Sequence, residues 1–596
     1  MSSNVASSIP RPEHPRPDFM RDTFYNLNGV WQFAFDDENA GLRERWQRPG
    51  RDLGGRITVP FAYQTALSGI GPTDEIHTLL WYRRAFRLPP EFAGRRVLLR
   101  FGAVDDSCRV YVNGELVGEH RGGYAPFCFD ITQSLVEGDN DLCLRVEDVP
   151  DRSRPRGKQY WDRGVMGCWY TPVSGIWQTV YLEAVGSHAV TRAHVIPDVE
   201  GNAITARVDI DRVPEPGLAL RLVASFAGER CGEALVPMTG RRAGVRLALR
   251  GPARLWSPEA PNLYDLEVSL IRGDGVVDRV RTYFGLRKVE VAGGEVLLNG
   301  APLYQRLVLD QGYWPDSLLT PPSDDALRLD VERTLAFGFN GARKHQKVED
   351  PRYYYWADRL GLLVWGEVPS AYDFDGDALR GLSDALLDFI DRDFNHPSVI
   401  CWVPLNESWG VQDIMNAPRQ QAAARMLYQL TKAADGTRLC SSNDGWEQVE
   451  TDICALHDYA ADGATMAEHF ITRRKVEDMG CDEKRCYVPG ARHTGDEAFL
   501  VTEYGGIAFS GIGAQGEVGG MATWGYHDKV DSEEAFFARY QSVTDAIRAL
   551  PYCRGYCYTQ LTDVMQEING LMTPDRVAKV DVERFREING GAGNRD

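Results

Sequence analysis

From about residue 288 the chain alternates short apolar runs with amphipathic stretches such as DALRLDVERTLAFGF and RQQAAARMLYQLTKAA, whose apolar residues recur at helical spacing. A strand returning parallel to its predecessor needs a crossover, so strands alternating with helices imply a parallel sheet under a helical layer. The candidate strands are PLYQRLVLD, FNGARKH, GLLVWGEVP, SVICWVPLNE, RLCSSND, DICALHDY, AFLVTEYGG and YCYTQLTD. Eight is the number that closes a (β/α)₈ barrel, and the roughly 310 residues of 288–596 suffice for one.

The first half has a different rhythm. Residues 1–185 carry runs with strand character, RRVLLRFGAV, CRVYVNGELVGEH, NDLCLRVEDV and GIWQTVYLEAV, separated by turn residues. Asn113-Gly114 between alternating segments predicts a type I′ hairpin, since both central positions need positive φ. This is expected to be a β-sandwich. Residues 186–287 repeat the pattern at immunoglobulin size, giving a second, smaller sandwich.

Composition narrows the functional classes. The 596 residues are 43% hydrophobic with a formal net charge of −19. That charge repels nucleic acid and anionic membranes alike, and neither is expected as a partner. No run of about 18 apolar residues and no basic start with an apolar core are present, which predicts a cytoplasmic chain. Cysteines such as Cys108, Cys128, Cys143 and Cys401 lie in apolar runs, and neither Cys481/Cys486 nor Cys553/Cys557 has CxxC spacing, so no metal or other cofactor is expected.

In such a barrel, functional groups project from the C-terminal strand ends. The candidate strands end in Asp310, Arg343 with His345, Glu367, Asn406-Glu407, Asp444, His457-Asp458-Tyr459, Glu503-Tyr504 and Asp563. Glu407 and Glu503 each follow a strongly apolar run, on the presumptive strands four and seven. Two facing carboxylates are what glycosidic cleavage needs, one to protonate the leaving oxygen and one to attack or stabilise an oxocarbenium-like centre. Trp409 is expected to dry the surroundings of Glu407 and raise its pKa, making it the acid/base, with Asn406 against a sugar hydroxyl. Arg343 and a tyrosine keep Glu503 ionised as the nucleophile. Asp310, His345, His457, Tyr459, Trp524 and Trp169 are further candidates for substrate contact. A carbohydrate-binding protein on an inert barrel, and a metal-dependent hydrolase using Glu367, His457 and Asp444, are the readings from other classes.

The ordered motifs resemble those of glycoside hydrolase family 2, which holds β-galactosidases, β-glucuronidases and β-mannosidases. YNLNGVWQFAFD, WYRRAF and SGIWQTVYLE resemble its jelly-roll sugar-binding domain, and LWSPEAPNLYDLEV with FGLRKVEV the end of its immunoglobulin-like domain. LLNGAPLYQR, GFNGARKH, DRLGLLVWGEVP, LNESWG and VTEYGG resemble its TIM-barrel signatures. The resemblance implies a retaining exo-glycosidase with Glu407 as acid/base, Glu503 as nucleophile and Arg343 beside it. It also implies a small glycoside or oligosaccharide substrate, a homo-oligomer, and a first-domain loop, WDRGVMGCWYTPVSG, at the barrel mouth. Glu367-Val368-Pro369 stands where magnesium-dependent members have Glu-x-His. Asn569 lacks the lysine two residues on that completes the Asn-x-Lys of β-glucuronidases, leaving Lys344 or Arg492 to meet a carboxylate. Trp365, Trp524 and Tyr526 suit stacking on a neutral pyranose, so the first expectation is a β-galactoside, with a uronide or another pyranoside as the alternative.

Overall fold

The computed structural model describes residues 9–480, 484–509, 517–518 and 520–590. Cys481 lies outside them, and Cys486 is joined to Cys454. No helix among the described residues is long and apolar enough to cross a membrane.

The N-terminal region is a jelly-roll sandwich of a four-stranded and a six-stranded antiparallel sheet. Inward residues of both sheets, among them Trp31, Tyr82, Leu99, Leu144 and Leu182, form its core. Asn113 and Gly114 have φ of 53° and 85° and join Ser107–Val112 to Glu115–Arg121, as the dipeptide predicts. The second sandwich packs a three-stranded sheet on a four-stranded one. Strand Leu218–Phe226 buries Leu218, Leu220, Leu222 and Ala224 at a period of two, so one face belongs to the core.

All eight expected barrel strands form: Gln305–Asp310, Gly341–Lys344, Leu363–Glu367, Val399–Val403, Leu439–Cys440, Ile453–Asp458, Ala498–Gly505 and Cys553–Thr559. They pair in parallel in cyclic order, with the first beside the eighth. Between the fifth and sixth the ring closes through Asp452 N–H donating to the Cys440 carbonyl at 3.0 Å. Local chemistry starts and stops the helices outside. Asp350 accepts from Arg352 N–H at 2.9 Å, Pro351 opens helix Pro351–Leu360, and Gly361 at φ 81° ends it.

A hairpin of Val289–Ala292 and Glu295–Leu298 plugs the N-terminal end of the barrel. Val296 and Leu298 share an apolar cluster there with Leu307, Trp365, Ile400 and Leu500. Trp365 is 0% exposed and its indole N–H donates to Gln305 Oε1 at 2.8 Å. It is a core residue, and the expected stacking on a sugar is corrected: the barrel interior, larger than its strand ends suggest, claimed the ring.

Buried ion pairs lock the β-domains together. Arg21 reaches Glu183 of the first sandwich at 2.8 Å and both oxygens of Asp278 of the second, at 3.0 and 2.9 Å. Its side chain is 2% exposed, so the pairs stand almost without water. Removing one partner of such a cluster costs about 3–5 kcal/mol, because a buried charge is left behind. Arg21→Ala is expected to move the urea transition of the β-domains to lower denaturant by that amount; an unchanged midpoint would show that Glu183 and Asp278 need no clasp.

Candidate active site

Arg343 organises the barrel mouth. It sits in the second strand, is 0% exposed, and spreads its planar fork over four other strands and their loops. Nε donates to Glu367 Oε2 at 2.8 Å, Nη1 lies 2.6 Å from Asp444 and 3.0 Å from Glu503 Oε1, and Nη2 donates to Asn406 Oδ1 at 2.7 Å. His345 Nδ1 stands 3.1 Å from Nη2. Only a guanidinium offers donors in that fixed planar spread, so lysine would satisfy one acceptor and strand the others. Asn406, turned by this bond, keeps its Nδ2 buried with no partner among the described residues, a donor free for what enters the mouth.

Glu407 lies four residues beyond the end of the fourth strand, in a strained turn. Glu407 and Ser408 have φ of 51° and 57°, a region that costs non-glycine residues about 1–3 kcal/mol. The turn is held by Glu407 N–H to the Asp444 carbonyl at 2.8 Å and Ser408 N–H to Asn443 Oδ1 at 3.0 Å. The result is a carboxylate swung inward over the ring. Glu503 projects from within the seventh strand, and Tyr459 donates its hydroxyl to Glu503 Oε2. Oxygens of the two carboxylates and a ring nitrogen of His457 all lie within 4.8 Å of one another.

His457 links the two sides. Nδ1 is 2.9 Å from Glu407 Oε1, and Nε2 is 3.1 Å from Asp444 Oδ2 and 3.6 Å from Glu503 Oε1. Burial works against its charge, but Glu503, Asp444 and Glu407 together push its pKa up to about 10. Burial also opposes the charge of Glu407, yet the bond to His457 and the nearby Lys158 hold that carboxyl down to about 2. The expectation that Trp409 raises the Glu407 pKa is therefore corrected. The indole N–H of Trp409 points at Glu407 Oε2 from 3.3 Å, a donor that favours the anion. The proton needed for an acid role rests on the imidazole beside it. Burial lifts Glu367 to about 7 and drives His345 well below its ordinary value, so His345 is neutral.

The first domain completes the mouth. Gln566 Nε2 donates to the Gly167 and Trp169 carbonyls at 2.6 and 2.9 Å, and Trp524 Nε1 to Gly167 at 3.0 Å. Tyr170 donates its hydroxyl to Glu567. So anchored, Trp169 stands edge-on to Trp409 at 5.3 Å and to Tyr372 at 5.6 Å, an aromatic wall beside Glu407. Gly157 permits the entry of this loop. Its φ is 61°, and a Cβ there would stand 2.2 Å from the Gln346 carbonyl oxygen.

Comparison with known proteins agrees with this architecture. Residues 24–182 match the sugar binding domain of glycosyl hydrolases family 2, 190–287 match glycosyl hydrolases family 2, and 289–588 match the TIM barrel domain of that family. The chain belongs to glycosyl hydrolase family 2. It is 25% identical to a β-galactosidase of Thermoanaerobacter pseudethanolicus over 402 residues, 64% of this chain and 50% of that one. To a β-glucuronidase of Paenibacillus borealis it is 26% identical over 424 residues, 65% of this chain and 68% of that one. The chain thus spans half the length of the first relative. Its fold is that of a Ruminococcus gnavus β-glucuronidase solved with D-glucuronic acid, at TM-score 0.75, 20% identity, and coverage of 97% and 100%.

In this family 2 chain the structure gathers Arg343, His345, Asn406, Glu407, His457, Tyr459 and Glu503 around one opening, with Trp169 and Trp524 from its rim. Asp310 is not part of it: it is 1% exposed, binds Lys344 at 2.8 Å, and among the described residues bonds to neither glutamate. Lys344 is in turn held by Glu349 at 2.9 Å, while Arg492 is 70% exposed beside Glu450. Neither can meet a sugar carboxylate at the mouth. The metal reading fails on its own ligands, because the guanidinium of Arg343 occupies the space between Glu367 and Asp444. In the cluster Glu407, His457 and Glu503, whose atoms lie within 4.8 Å of one another, both imidazole nitrogens are engaged, Nδ1 by Glu407 and Nε2 by Asp444. Missed by sequence reasoning were the site roles of Asp444, at a recognised strand end, and of Lys158, in a β-domain loop with no motif around it.

Two outcomes follow for this family 2 site. Gly157→Ala is expected to displace the loop and lower kcat/KM by about 10²-fold with the circular dichroism unchanged. Equal activity would show that the loop is not needed. The Glu407–His457 pair holds one proton from about pH 2 to about pH 10. His457→Gln leaves only the Glu407 carboxyl to carry it, and its pKa rises once the cation is gone. The alkaline limb of the kcat/KM profile should then move down by more than about two pH units; a limb that stays in place would remove His457 from the proton's path.

Proposed function

We propose that the chain is a retaining exo-glycosidase that cleaves a terminal β-linked sugar by double displacement. The observation that carries this reading is the pair Glu407 and Glu503, with oxygens within 4.8 Å of each other across the mouth. Retaining enzymes hold their carboxyls about 5–5.5 Å apart, and inverting ones leave about 6.5 Å or more for a water between them. The close approach of these two oxygens supports the retaining geometry.

The donors around each carboxylate support the division of labour. Glu503 is held from two sides, by Arg343 and the Tyr459 hydroxyl, as the nucleophile that attacks the anomeric carbon. Its attack expels the aglycone while Glu407 protonates the leaving oxygen, drawing the proton from His457 as bound substrate displaces their contact. Glu407 then takes a proton from the water that hydrolyses the glycosyl-enzyme, and the anomeric configuration is restored. Asn406 Nδ2 is placed to donate to the sugar's 2-hydroxyl, a bond that strengthens as the ring gains positive charge. Relatives divide between β-galactosidases and β-glucuronidases. The choice between a galactoside and a uronide turns on whether the mouth holds a cation for a sugar carboxylate.

A panel of chromogenic β-glycosides on wild type, Glu503→Gln and Glu407→Gln tests the assignment. Each substitution should lower kcat by about 10⁴-fold, and azide should rescue Glu407→Gln on substrates with good leaving groups, where only deglycosylation needs the base. Full activity in either variant, or net inversion of the anomeric centre by NMR, contradicts the mechanism. Wild type inactive on the whole panel would favour a carbohydrate-binding protein.

A further inference from the structure

Lys158 is a basic side chain near the mouth that the mechanism leaves unused. It lies in the first-domain loop, directly after Gly157, and is 8% exposed. Its main chain is fixed on both sides: Tyr372 donates its hydroxyl to the Gly157 carbonyl at 2.5 Å, and Tyr170 N–H bonds the Lys158 carbonyl at 2.8 Å. The ammonium lies beside the Cys168 thiol and close enough to Glu567, Tyr372 and Glu407 to feel them, and it depresses the pKa of His345 across the mouth.

Neighbouring cations are spent. Arg343 is saturated by three carboxylates, Lys344 by Asp310 and Glu349, and Lys579 by both oxygens of Asp563 at 2.8 and 3.0 Å. Lys158 has no carboxylate within 4.0 Å among the described residues. Glu567, on the eighth-strand side, is taken up by the Tyr170 hydroxyl and by Gln560, and burial raises its pKa. A buried ammonium without an ion-pair partner is costly unless something completes it. Beside Glu567, Asn569 has its Oδ1 fixed by Gln560 at 2.7 Å and its Nδ2 buried without a partner among the described residues. A buried cation with no carboxylate on it and a buried amide N–H with no partner among the described residues are the donors that an incoming carboxylate would take.

We propose that Lys158 binds a carboxylate on the terminal sugar, and that the substrate class of this site is a β-linked hexuronide. This rests on the reading of Glu407 and Glu503 as the cleaving pair, and replaces the galactoside as the expected substrate. Charge at C6 is recognised from the β-domain, so the barrel needs no lysine after Asn569.

The test compares kcat/KM for p-nitrophenyl β-D-glucuronide and β-D-galacturonide with the matching glucoside and galactoside, on wild type, Lys158→Met and Lys158→Arg. Wild type should prefer at least one uronide to its neutral counterpart. Lys158→Met should shrink that preference about 10- to 100-fold, mainly through KM, and Lys158→Arg should restore part of it. A wild type that prefers neutral sugars, or a Lys158→Met that slows acid and neutral sugars equally, overturns the role of Lys158 and leaves the glycosidase standing. Inactivity on all four overturns the cleaving pair instead. Lys158 is then judged by calorimetry of D-glucuronate against D-glucose on wild type: equal binding overturns it, and a preference for the acid that Lys158→Met abolishes upholds it.

Discussion

The barrel mouth depends on one buried guanidinium. Arg343 brings a single positive charge, with five donors in a plane, into contact with Glu367, Asp444, Glu503 and Asn406, which come from four different strands or their loops. Taking these carboxylates out of water without it would leave them repelling one another at close range. With it, each is turned to a fixed direction. Glu503 faces the opening, Asn406 presents its amide, and Asp444 shares its Oδ2 between Arg343 and His457. The positions of the two glutamates are thus consequences of one ion cluster more than of the local conformation of either segment.

His457 adds the second level. It carries a proton between two anions, and the strained turn at Glu407 and Ser408 holds the acid carboxylate over it. Strain of that kind persists only where surrounding bonds over-determine it, and here the fifth-strand loop supplies them through Asp444 and Asn443. The first domain then closes the side that the barrel leaves open, by a loop whose approach requires the absence of a side chain at Gly157. The division is physical: the barrel sets the reacting carboxylates, and the β-domain supplies the wall and the cation beside them.

The eight apolar runs were legible because a parallel strand covered on both faces must be apolar along its length, and each announced its own end with a polar residue. The same logic located Glu407 and Glu503. It misjudged Trp365, which shares the inward face of Glu367 but lies one layer deeper in the barrel core, and Asp310, whose side chain faces Lys344 instead, since depth and register are decided only by the closed barrel. It also misjudged the Glu407 pKa, because Trp409 beside it in sequence was visible and His457, fifty residues away, was not.

By itself the sequence determined three units, a barrel and a pair of carboxylates, because periodicity and apolar patterning are written locally. The tertiary structure decided what is non-local: that Arg343 ties four strands together, that the proton sits on His457, and that Lys158 from a β-domain enters the barrel mouth. Those depend on distances between residues far apart in the chain, and Coulomb energy and hydrogen bonding act on distance alone.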